Sequence, residues 1–175
     1  MVSKVIVETT ARLRLIAGTE ALAAAEIEDR ATFAELLGAS VPATWPPDTL
    51  RDVLAYFLET YREHPEWEGW LTWYAIRVDT DYPVLCGGIG FKGPADDRGM
   101  VEIGYSVLPE FRGKGFATEM VVGMVQWASR QPGVRLIEAE TTIDNGASIR
   151  VLERNAFVRV GAGSEPDTIR FPRRC

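Results

Sequence analysis

Residues 110–120 of the chain read EFRGKGFATEM, a stretch with two glycines and two cations that turns at once into good helix-forming residues. The apolar side chains that follow recur at helical spacing, so the pattern predicts a helix that begins near Gly115. Such a loop presents backbone N–H groups at a helix start, where the peptide dipoles leave partial positive charge. Gly113 and Gly115 allow close approach to the backbone, and Arg112 and Lys114 add charge. The stretch therefore predicts an anion-binding loop.

A glycine-rich turn with two solvated cations is the alternative interpretation of this loop. Other nucleotide-binding patterns fit the chain poorly. The chain contains no G-x-x-x-x-G-K-[ST] phosphate loop, and the dinucleotide pattern G-x-G-x-x-G fails because Thr118 takes the place of its last glycine. The choice between the two interpretations therefore depends on the residues around the loop.

The charge balance limits the partners that the chain is expected to bind. With 25 acidic against 19 basic side chains the formal charge is -6, so the overall field repels nucleic acids and anionic membrane surfaces. The same field favours a cationic small molecule or peptide. At 175 residues and 46% apolar composition, residues 1–175 are expected to form one domain with a sizeable core.

The cysteine and histidine positions indicate neither a metal site nor a structural disulfide. Cys86 and Cys175 lie far apart, and neither they nor His64 fall at a metal-ligand or C-x-x-C spacing. Lys4 and Glu8 come too early for the apolar core of a signal peptide, and no run of about 18 apolar residues occurs. The expectation is a cytoplasmic protein that binds no metal and no membrane.

The first third of the chain predicts a strand, one or two helices, a proline-rich loop and a further helix. These elements are expected near residues 10–16, 19–38, 39–50 and 50–64. The last helix shows the clearest pattern, since apolar side chains recur at helical spacing from Leu50 to Tyr61 before Pro65 ends it. We interpret this stripe as the buried face of the helix.

The rest of the chain predicts a mixed sheet. Three strands with short links, expected at residues 69–78, 84–92 and 100–108, indicate an antiparallel meander. A helix at 115–130, a strand at 134–142, a short helix from about 145 and a strand from Phe157 follow. A strand, a helix and a strand at this spacing indicate a right-handed crossover to a parallel neighbour. The expected fold class is α+β.

The loop and its flanks resemble one protein family. Arg112, Gly115 and Ala117 match the [QR]-x-x-G-x-[GA] signature of the GNAT superfamily of acetyltransferases. Asn145 and Ser148 match the N-x-x-S of the branch typified by the ribosomal-protein N-terminal acetyltransferases, to which the chain is most similar. The resemblance covers roughly residues 10 to 161 and is tightest in the second half.

The resemblance implies a central, mostly antiparallel sheet with one splayed parallel pair, flanked by helices. It further implies that acetyl-coenzyme A is the acyl donor, with its pyrophosphate in the glycine loop and its pantetheine arm between the splayed strands. The residues expected to bind it are Ser106, Val107, Arg112, Gly113, Lys114, Gly115, Phe116, Ala117, Thr118, Asn145 and Ser148.

The strand at 100–108 carries the candidate chemistry. Its alternation places Val101 and Tyr105 on an apolar face and Glu102 and Ser106 on a polar one. Acyl transfer to an amine requires a proton acceptor, for which Glu102 is the candidate, acting through a water or with a pKa raised by partial burial. The alternative is a solvated carboxylate or a partner for a nearby arginine. The N–H of Val107, at the splayed strand end, is the candidate for stabilising the developing charge on the acyl oxygen.

The leaving thiolate has no obvious acid. Many family members carry a tyrosine seven residues after the asparagine, where this chain has Leu152. Either no acid is needed, because a thiol with a pKa of about 8.5 leaves easily, or Ser148 positions the sulfur. Asn145 and Ser148 also resemble a helix N-terminal cap. Ala156 replaces a usual glycine, so Asn155 is expected to take the left-handed conformation instead.

The acceptor site is weakly defined by the sequence. Trp45, Trp73 and Tyr105 are candidates for an aromatic acceptor pocket, although such side chains are more often core. Overall charge favours a cationic amine, and peptide α-amines, amino acids, polyamines and drug amines all remain open.

The resulting hypothesis is an N-acetyltransferase that moves an acetyl group from acetyl-coenzyme A to a small-molecule or peptide amine by direct attack in a ternary complex, acting as a monomer or homodimer. Two other hypotheses remain. One is a non-catalytic acyl-coenzyme A binding or sensing domain, which the missing tyrosine suggests, and the other is an O-acyl or longer-acyl transferase.

Overall fold

The computed structural model describes residues 5–175, so the N-terminal argument against a signal peptide rests partly on residues outside this range. Over the described residues the strands form one sheet in the order β1-β2-β3-β4-β5-β6-β8-β7. The strands are Val7–Thr9 (β1), Leu13–Ala17 (β2), Thr72–Arg77 (β3), Val84–Phe91 (β4), Met100–Val107 (β5), Leu136–Thr142 (β6), Gly161–Ala162 (β7) and Thr168–Arg174 (β8).

Helices cover both faces of this sheet. They are Glu20–Glu28 (α1), Arg30–Leu37 (α2), Asp48–Arg51 (α3), Leu54–Glu63 (α4), Phe116–Ser129 (α5) and Gly146–Arg154 (α6), with short 3-10 turns at Pro65–Trp67 and Pro109–Phe111. α5 lies on one face, where Met120, Val121 and Met124 are fully buried. α1 and α2 lie on the other face, where Phe33 packs edge-on against Tyr74 with 5.2 Å between ring centroids.

The sheet is mostly antiparallel with one parallel pair, as predicted. Neighbouring strands from β1 through β5 pair antiparallel with one another, and β6 is antiparallel to β8. Among the eight strands of residues 5–175, only β5 and β6, which α5 connects, are parallel. Their pairing extends from Met100 to Glu102 on β5, although β5 continues to Val107 and β6 to Thr142. The two strand ends therefore part and leave a gap inside the sheet.

Backbone groups of β5 face this gap. On the other side of β5, the Lys92 N–H donates to the Glu102 carbonyl (3.0 Å) and the Leu108 N–H donates to the Cys86 carbonyl (3.0 Å). Because hydrogen-bonding direction alternates along an antiparallel strand, the even-numbered residues of β5 bond to β4. The N–H and carbonyl groups of Tyr105 and Val107, which lie beyond the last residue paired with β6, are therefore directed toward the gap.

The predicted helix at 50–64 is divided in two. α3 ends at Arg51 and α4 begins at Leu54. Leu58 and Tyr61 are buried against α1, whereas Leu50 is only half-buried. One part of the apolar stripe is therefore core and the other part lines a cavity. The sequence could not separate the two, because both require apolar side chains at helical spacing.

The C-terminal strands also differ from the prediction. Residues 157–160 are not a regular strand, although the Val158 N–H donates to the Pro172 carbonyl (3.0 Å). The strand begins only at Gly161, and the long strand β8 was not predicted. Pro172 and the neighbouring arginines are not typical of a strand inside a sheet. Proline cannot donate a hydrogen bond to a neighbouring strand and is usually found at sheet edges. The short strand β1 was missed as well.

The left-handed residue after α6 is Ala156 itself, with φ 61°, so the expectation that Asn155 takes this conformation is wrong. Asn155 is buried and uses its side-chain amide instead, donating to the carbonyls of Val151 (2.9 Å) and Thr118 (3.3 Å). The amide therefore ties the end of α6 to the first turn of α5. These hydrogen bonds explain why residue 155 is an asparagine although Ala156, not Asn155, has the left-handed conformation.

A partly buried carboxylate anchors the proline-rich loop. Glu26 on α1 accepts hydrogen bonds from the Tyr74 hydroxyl (2.6 Å) and the Trp45 indole N–H (2.8 Å). Trp45 is 3% exposed and packs in the core, so it does not form the acceptor wall proposed for it. Burial raises the pKa of Glu26, although both hydrogen bonds act in the opposite direction.

Glu26→Ala is expected to lower the free energy of unfolding by about 2 to 3 kcal/mol, because two buried donors lose their acceptor. Glu26→Gln keeps an acceptor and should change it by less than about 1 kcal/mol at neutral pH. Since the folded pKa is raised, the wild-type carboxyl contributes most below its ordinary pKa and loses that contribution as the pH rises through the raised value. Urea unfolding from about pH 4 to about pH 8 should therefore move progressively in favour of Glu26→Gln. A constant difference would contradict this account.

Candidate active site

A cleft of about 550 Å³, here called the loop cleft, opens where β5 ends. It lies between the C-terminal part of β5, the glycine loop with the start of α5, and the first turns of α6. Of the residues predicted to bind the donor, Lys114 alone is not in its lining, which includes Ser106, Val107, Arg112, Gly113, Gly115, Phe116, Ala117, Thr118, Asn145 and Ser148. The fold therefore brings together residues from three separate segments at one cleft.

The glycine loop has the geometry of an anion site. Gly113 and Gly115 have φ values of 72° and 83°, a conformation that side-chain-bearing residues rarely adopt. Among the described residues, the backbone N–H groups of residues 113–118 donate no hydrogen bond to protein. A helix start leaves these donors without intrahelical acceptors, and the helix dipole adds partial positive charge there. The loop can therefore donate several hydrogen bonds to a bound phosphate.

The loop cations hold the loop itself. Arg112 Nε donates to the Val107 carbonyl (3.0 Å), and Lys114 Nζ donates to the Glu110 carbonyl (2.8 Å). Both side chains thus tie loop carbonyls, and Arg112 also lines the cleft. The positive charge remains near the free N–H groups, while the carbonyls are turned toward the cations.

The contacts that Arg12 and Glu119 make behind the glycine loop were not predicted from the sequence. Arg12 donates through Nε to Glu119 Oε2 (2.8 Å) and through a guanidinium nitrogen to the Lys114 carbonyl (3.0 Å). Burial opposes ionisation of Glu119, but hydrogen bonds from Thr10 and Arg12 outweigh it and lower the pKa of this carboxyl. The anionic side chain therefore holds Arg12, and Arg12 holds the loop.

Two more cations were missed. Arg150 and Arg154 lie one turn apart on α6, and both line the loop cleft. No ion pair or hydrogen bond involves either side chain within residues 5–175. Free cations beside free N–H groups in a chain of net charge -6 concentrate positive potential at this cleft. Their i, i+4 spacing was visible in the sequence, but nothing in it showed which face of α6 meets the cleft.

The start of α6 brings two hydroxyls together. Asn145 caps the helix, since its side-chain oxygen accepts from the Ser148 N–H (3.1 Å). The Ser148 hydroxyl takes no part in this cap and instead lies 2.8 Å from the Tyr105 hydroxyl of β5. Burial raises the pKa of Tyr105, with the Ser148 hydrogen bond acting in the opposite direction. Leu152, the position of the family's usual tyrosine, is fully buried in the core.

A second space, here called the apolar cavity, adjoins the loop cleft. It encloses about 540 Å³ between strands β3, β4 and β5 and helices α3 and α4. Thr49, Tyr105 and Ser106 line both spaces, so the two meet at the open end of β5. Tyr105 is therefore the predicted acceptor residue that the structure does place in an apolar cavity.

The remaining candidates have other surroundings. Trp73 is fully buried, and its indole N–H donates to the Gly69 carbonyl (2.8 Å), so it is core rather than acceptor wall. Glu102 forms an ion pair with Lys92 and lines neither space, although Lys92 lines the apolar cavity. The alternative interpretation expected Glu102 to pair with a nearby arginine. The carboxylate does pair with a cation, but that cation is a lysine.

Burial raises the pKa of the Cys86 thiol to about 12, and Cys175 is exposed; both are free. Across residues 5–175 no group of three or more His, Cys, Asp or Glu side chains could hold a metal ion. In the same part of the chain, no helix has the length and apolar character needed to cross a membrane.

The loop cleft and the apolar cavity thus meet at the open end of β5 in a mixed sheet flanked by helices. A GNAT acetyltransferase domain matches residues 20–158. An uncharacterized N-acetyltransferase of Bacillus subtilis (strain 168), YjdG, is 32% identical over 155 residues, which are 88% of this chain and 90% of that protein. The chain belongs to the GNAT acetyltransferase family, so the predicted family and the predicted class of enzyme, an acyltransferase, are confirmed.

Solved structures of low sequence identity share the fold. RimL, a ribosomal L7/L12 α-N-protein acetyltransferase in complex with coenzyme A, has a TM-score of 0.68 at 17% identity, covering 97% of this chain and 98% of its own. The microcin C7 self-immunity acetyltransferase MccE, in complex with acetyl-coenzyme A and AMP, has a TM-score of 0.63 at 14% identity, covering 95% and 94%. At such identities the likeness shows the fold alone.

Proposed function

We propose that this protein transfers an acetyl group from acetyl-coenzyme A to a primary amine by direct attack in a ternary complex. One observation carries the proposal. The loop cleft and the apolar cavity meet at Tyr105 and Ser106, beside the gap between β5 and β6. A donor in the first space and an acceptor in the second would have their reacting ends at this junction.

The donor site is assigned to the backbone groups and cations that line the loop cleft and the gap beside it. The N–H groups of residues 113–118 bind the pyrophosphate, and the backbone groups of β5 that face the gap bind the amides of the pantetheine arm. Arg150 and Arg154 balance the remaining phosphate charge. When bound, acetyl-coenzyme A would supply the activated thioester, with the coenzyme A thiolate as the leaving group. The coenzyme A and acetyl-coenzyme A complexes of RimL and MccE support this assignment.

The transfer forms a C–N bond, breaks a C–S bond and moves one proton from the amine to the departing sulfur. Glu102 accepts the amine proton through water, since its carboxylate lies on the polar face of β5 but outside the lining of both spaces. The Val107 N–H, directed toward the gap, donates to the acyl oxygen as negative charge develops. The hydroxyl pair of Tyr105 and Ser148 donates a proton to the departing sulfur and takes one back from water, while Glu102 releases the amine proton to solvent, so one proton passes from the amine to the sulfur in total.

The hydroxyl pair fits this last role because its members share a hydrogen bond and both line the loop cleft. Tyr105 remains protonated across the neutral range, because burial raises its pKa. Either hydroxyl alone is a poor acid, but a pair can pass a proton and accept another from water. The pair thereby takes the place of the tyrosine that Leu152 replaces.

Ser148→Ala and Tyr105→Phe should each lower the single-turnover rate about ten-fold, while the affinity for acetyl-coenzyme A holds. The double variant should be little slower than either single variant, because the two hydroxyls act as one unit. Urea unfolding provides the structural control, since Asn145, not the Ser148 hydroxyl, caps α6. Rates that match the wild type, or effects that simply multiply, would contradict a shared role.

The function itself is tested with a panel of amines and acetyl-coenzyme A, monitored by release of free thiol. Turnover of any amine, with the acetylated product identified by mass spectrometry, would support the proposal. Tight coenzyme A binding without turnover across the panel would overturn it and favour the sensing alternative. Acylation of alcohols, or a preference for longer acyl donors, would show that the protein is instead an O-acyl or longer-acyl transferase.

A further inference from the structure

The wall of the apolar cavity differs in character from the overall charge of the chain. Within the part of the chain that the structure describes, Lys92 is the charged residue of this wall, and no carboxylate lines it. Lys92 is already paired with Glu102. Although the molecule carries a net charge of -6, a cationic group in this cavity would therefore find no unpaired carboxylate in the lining.

Helices α3 and α4 supply the apolar side of the cavity. Leu50, Val53 and Phe57 form this side, and Leu71 and Ile89 extend it onto the sheet. These are the positions whose helical spacing predicted a buried helix face, and here the face covers an open space. Such a wall gains most from an occupant that brings apolar surface of its own.

Glycines in β4 and β5 leave the floor of the cavity bare. A Cβ built on Gly88 would lie 3.1 Å from Leu50 Cδ1 and 3.3 Å from the Trp45 ring, so this part of the floor is closed by core side chains. A Cβ built on Gly104 would meet no atom within 4 Å. Gly104 therefore borders the open part of the cavity, next to Tyr105 and Ser106 where the loop cleft begins.

We infer that the acceptor is a primary amine carried on an uncharged, apolar body of roughly aromatic size, and that polyamines are excluded. The inference rests on the proposed function and narrows its acceptor. A second ammonium group in the cavity would lose its hydration without gaining a carboxylate, which is strongly unfavourable. A single amine held at the Tyr105 end can lose its proton before attack, while the apolar body fills the space between α4 and β4.

The test compares acceptors of matched length. Hexylamine and hexamethylenediamine share one carbon chain and differ by a second amine, while phenethylamine provides an aromatic body. At saturating acetyl-coenzyme A, kcat/KM for hexylamine and phenethylamine should exceed that for hexamethylenediamine and spermidine about ten-fold or more. Equal or better turnover of the diamine or spermidine would overturn the inference and leave the acetyltransferase function standing.

Filling the open floor gives an independent test. Gly104→Ala and Gly104→Val should progressively lower kcat/KM for phenethylamine, by about ten-fold or more for valine, because each added methyl group takes space from the acceptor. Coenzyme A affinity by calorimetry should stay unchanged, since Gly104 does not line the loop cleft. Both variants are expected to fold, because their Cβ atoms meet open space. Wild-type turnover of phenethylamine by Gly104→Val would place the acceptor elsewhere.

Binding is also measured without chemistry. Calorimetry of phenethylamine with the coenzyme A complex should show binding that Gly104→Val weakens about ten-fold or more. Binding of phenethylamine without turnover of any amine in the panel would support the cavity assignment while overturning the proposed acetyl transfer. If phenethylamine neither binds nor reacts whereas another amine is acetylated, the proposed function stands and the inference fails.

Discussion

Gly115→Val is expected to weaken coenzyme A binding about a hundred-fold, as measured by calorimetry. Gly115 has φ 83°, and a β-branched side chain resists this conformation. As the backbone relaxes, the N–H groups of residues 113–118 turn away from the position of the pyrophosphate. Losing about two charge-assisted hydrogen bonds at about 1.5 kcal/mol each corresponds to a factor of this size.

Gly133→Val is a matched control for that experiment. Gly133 has φ 85° and lies in the turn between α5 and β6, where a Cβ would meet no atom within 4 Å. It therefore carries the same backbone strain, about 1 to 2 kcal/mol, outside the loop cleft. Equal losses of coenzyme A affinity in the two variants would mean that strain, rather than the loop, causes the effect. Unchanged affinity in folded Gly115→Val would remove the loop from the donor site.

Glu102→Gln is expected to lower kcat about a hundred-fold, with acetyl-coenzyme A affinity unchanged. The amide keeps the size and the hydrogen bonding of the carboxylate but cannot take up the amine proton. The rate is best measured in a single turnover at saturating acceptor, so that product release does not mask the chemical step. A wild-type rate at neutral pH would assign the proton to another group or to bulk water.

The variant Lys92→Met tests whether Glu102 acts as a base or only as the partner of Lys92 in an ion pair. Because Lys92 and Glu102 are partners, a purely structural salt bridge would be lost equally in either variant. If Glu102 acts as the proton acceptor, Lys92→Met should leave kcat within about three-fold of the wild type, far less than the loss of a general base. Its KM for the acceptor is expected to change, since Lys92 lines the apolar cavity. Matching losses of kcat in the two variants would reduce Glu102 to a structural partner.

Local signals explain what the sequence could predict. The glycine loop and the start of α5 depend on adjacent residues, because Gly113 and Gly115 supply the backbone conformation that the loop requires. The alternating faces of β5 are local too, and Val101 and Ile103 are buried as expected. The helix cap at Asn145 likewise follows from a residue three positions away.

Contacts between distant segments explain what the sequence could not predict. Tyr105 and Ser148 are 43 residues apart, and their hydrogen bond depends on how α6 docks beside β5. The same limit applies to the tryptophans, because hydrophobicity indicates burial but not which space a ring faces. Trp45 and Trp73 bury their rings and satisfy their N–H groups within the core.

The wall that the two spaces share has a thermodynamic consequence. Tyr105 and Ser106 border both the loop cleft and the apolar cavity. If a ligand in one space shifts these residues, the affinity of the other space for its own ligand changes. Linkage then requires the coupling to be reciprocal: the factor by which the donor changes the acceptor's dissociation constant equals the factor by which the acceptor changes the donor's. A substitution at Tyr105 would alter both factors together, and the order of addition could change the path of assembly but not its total free energy.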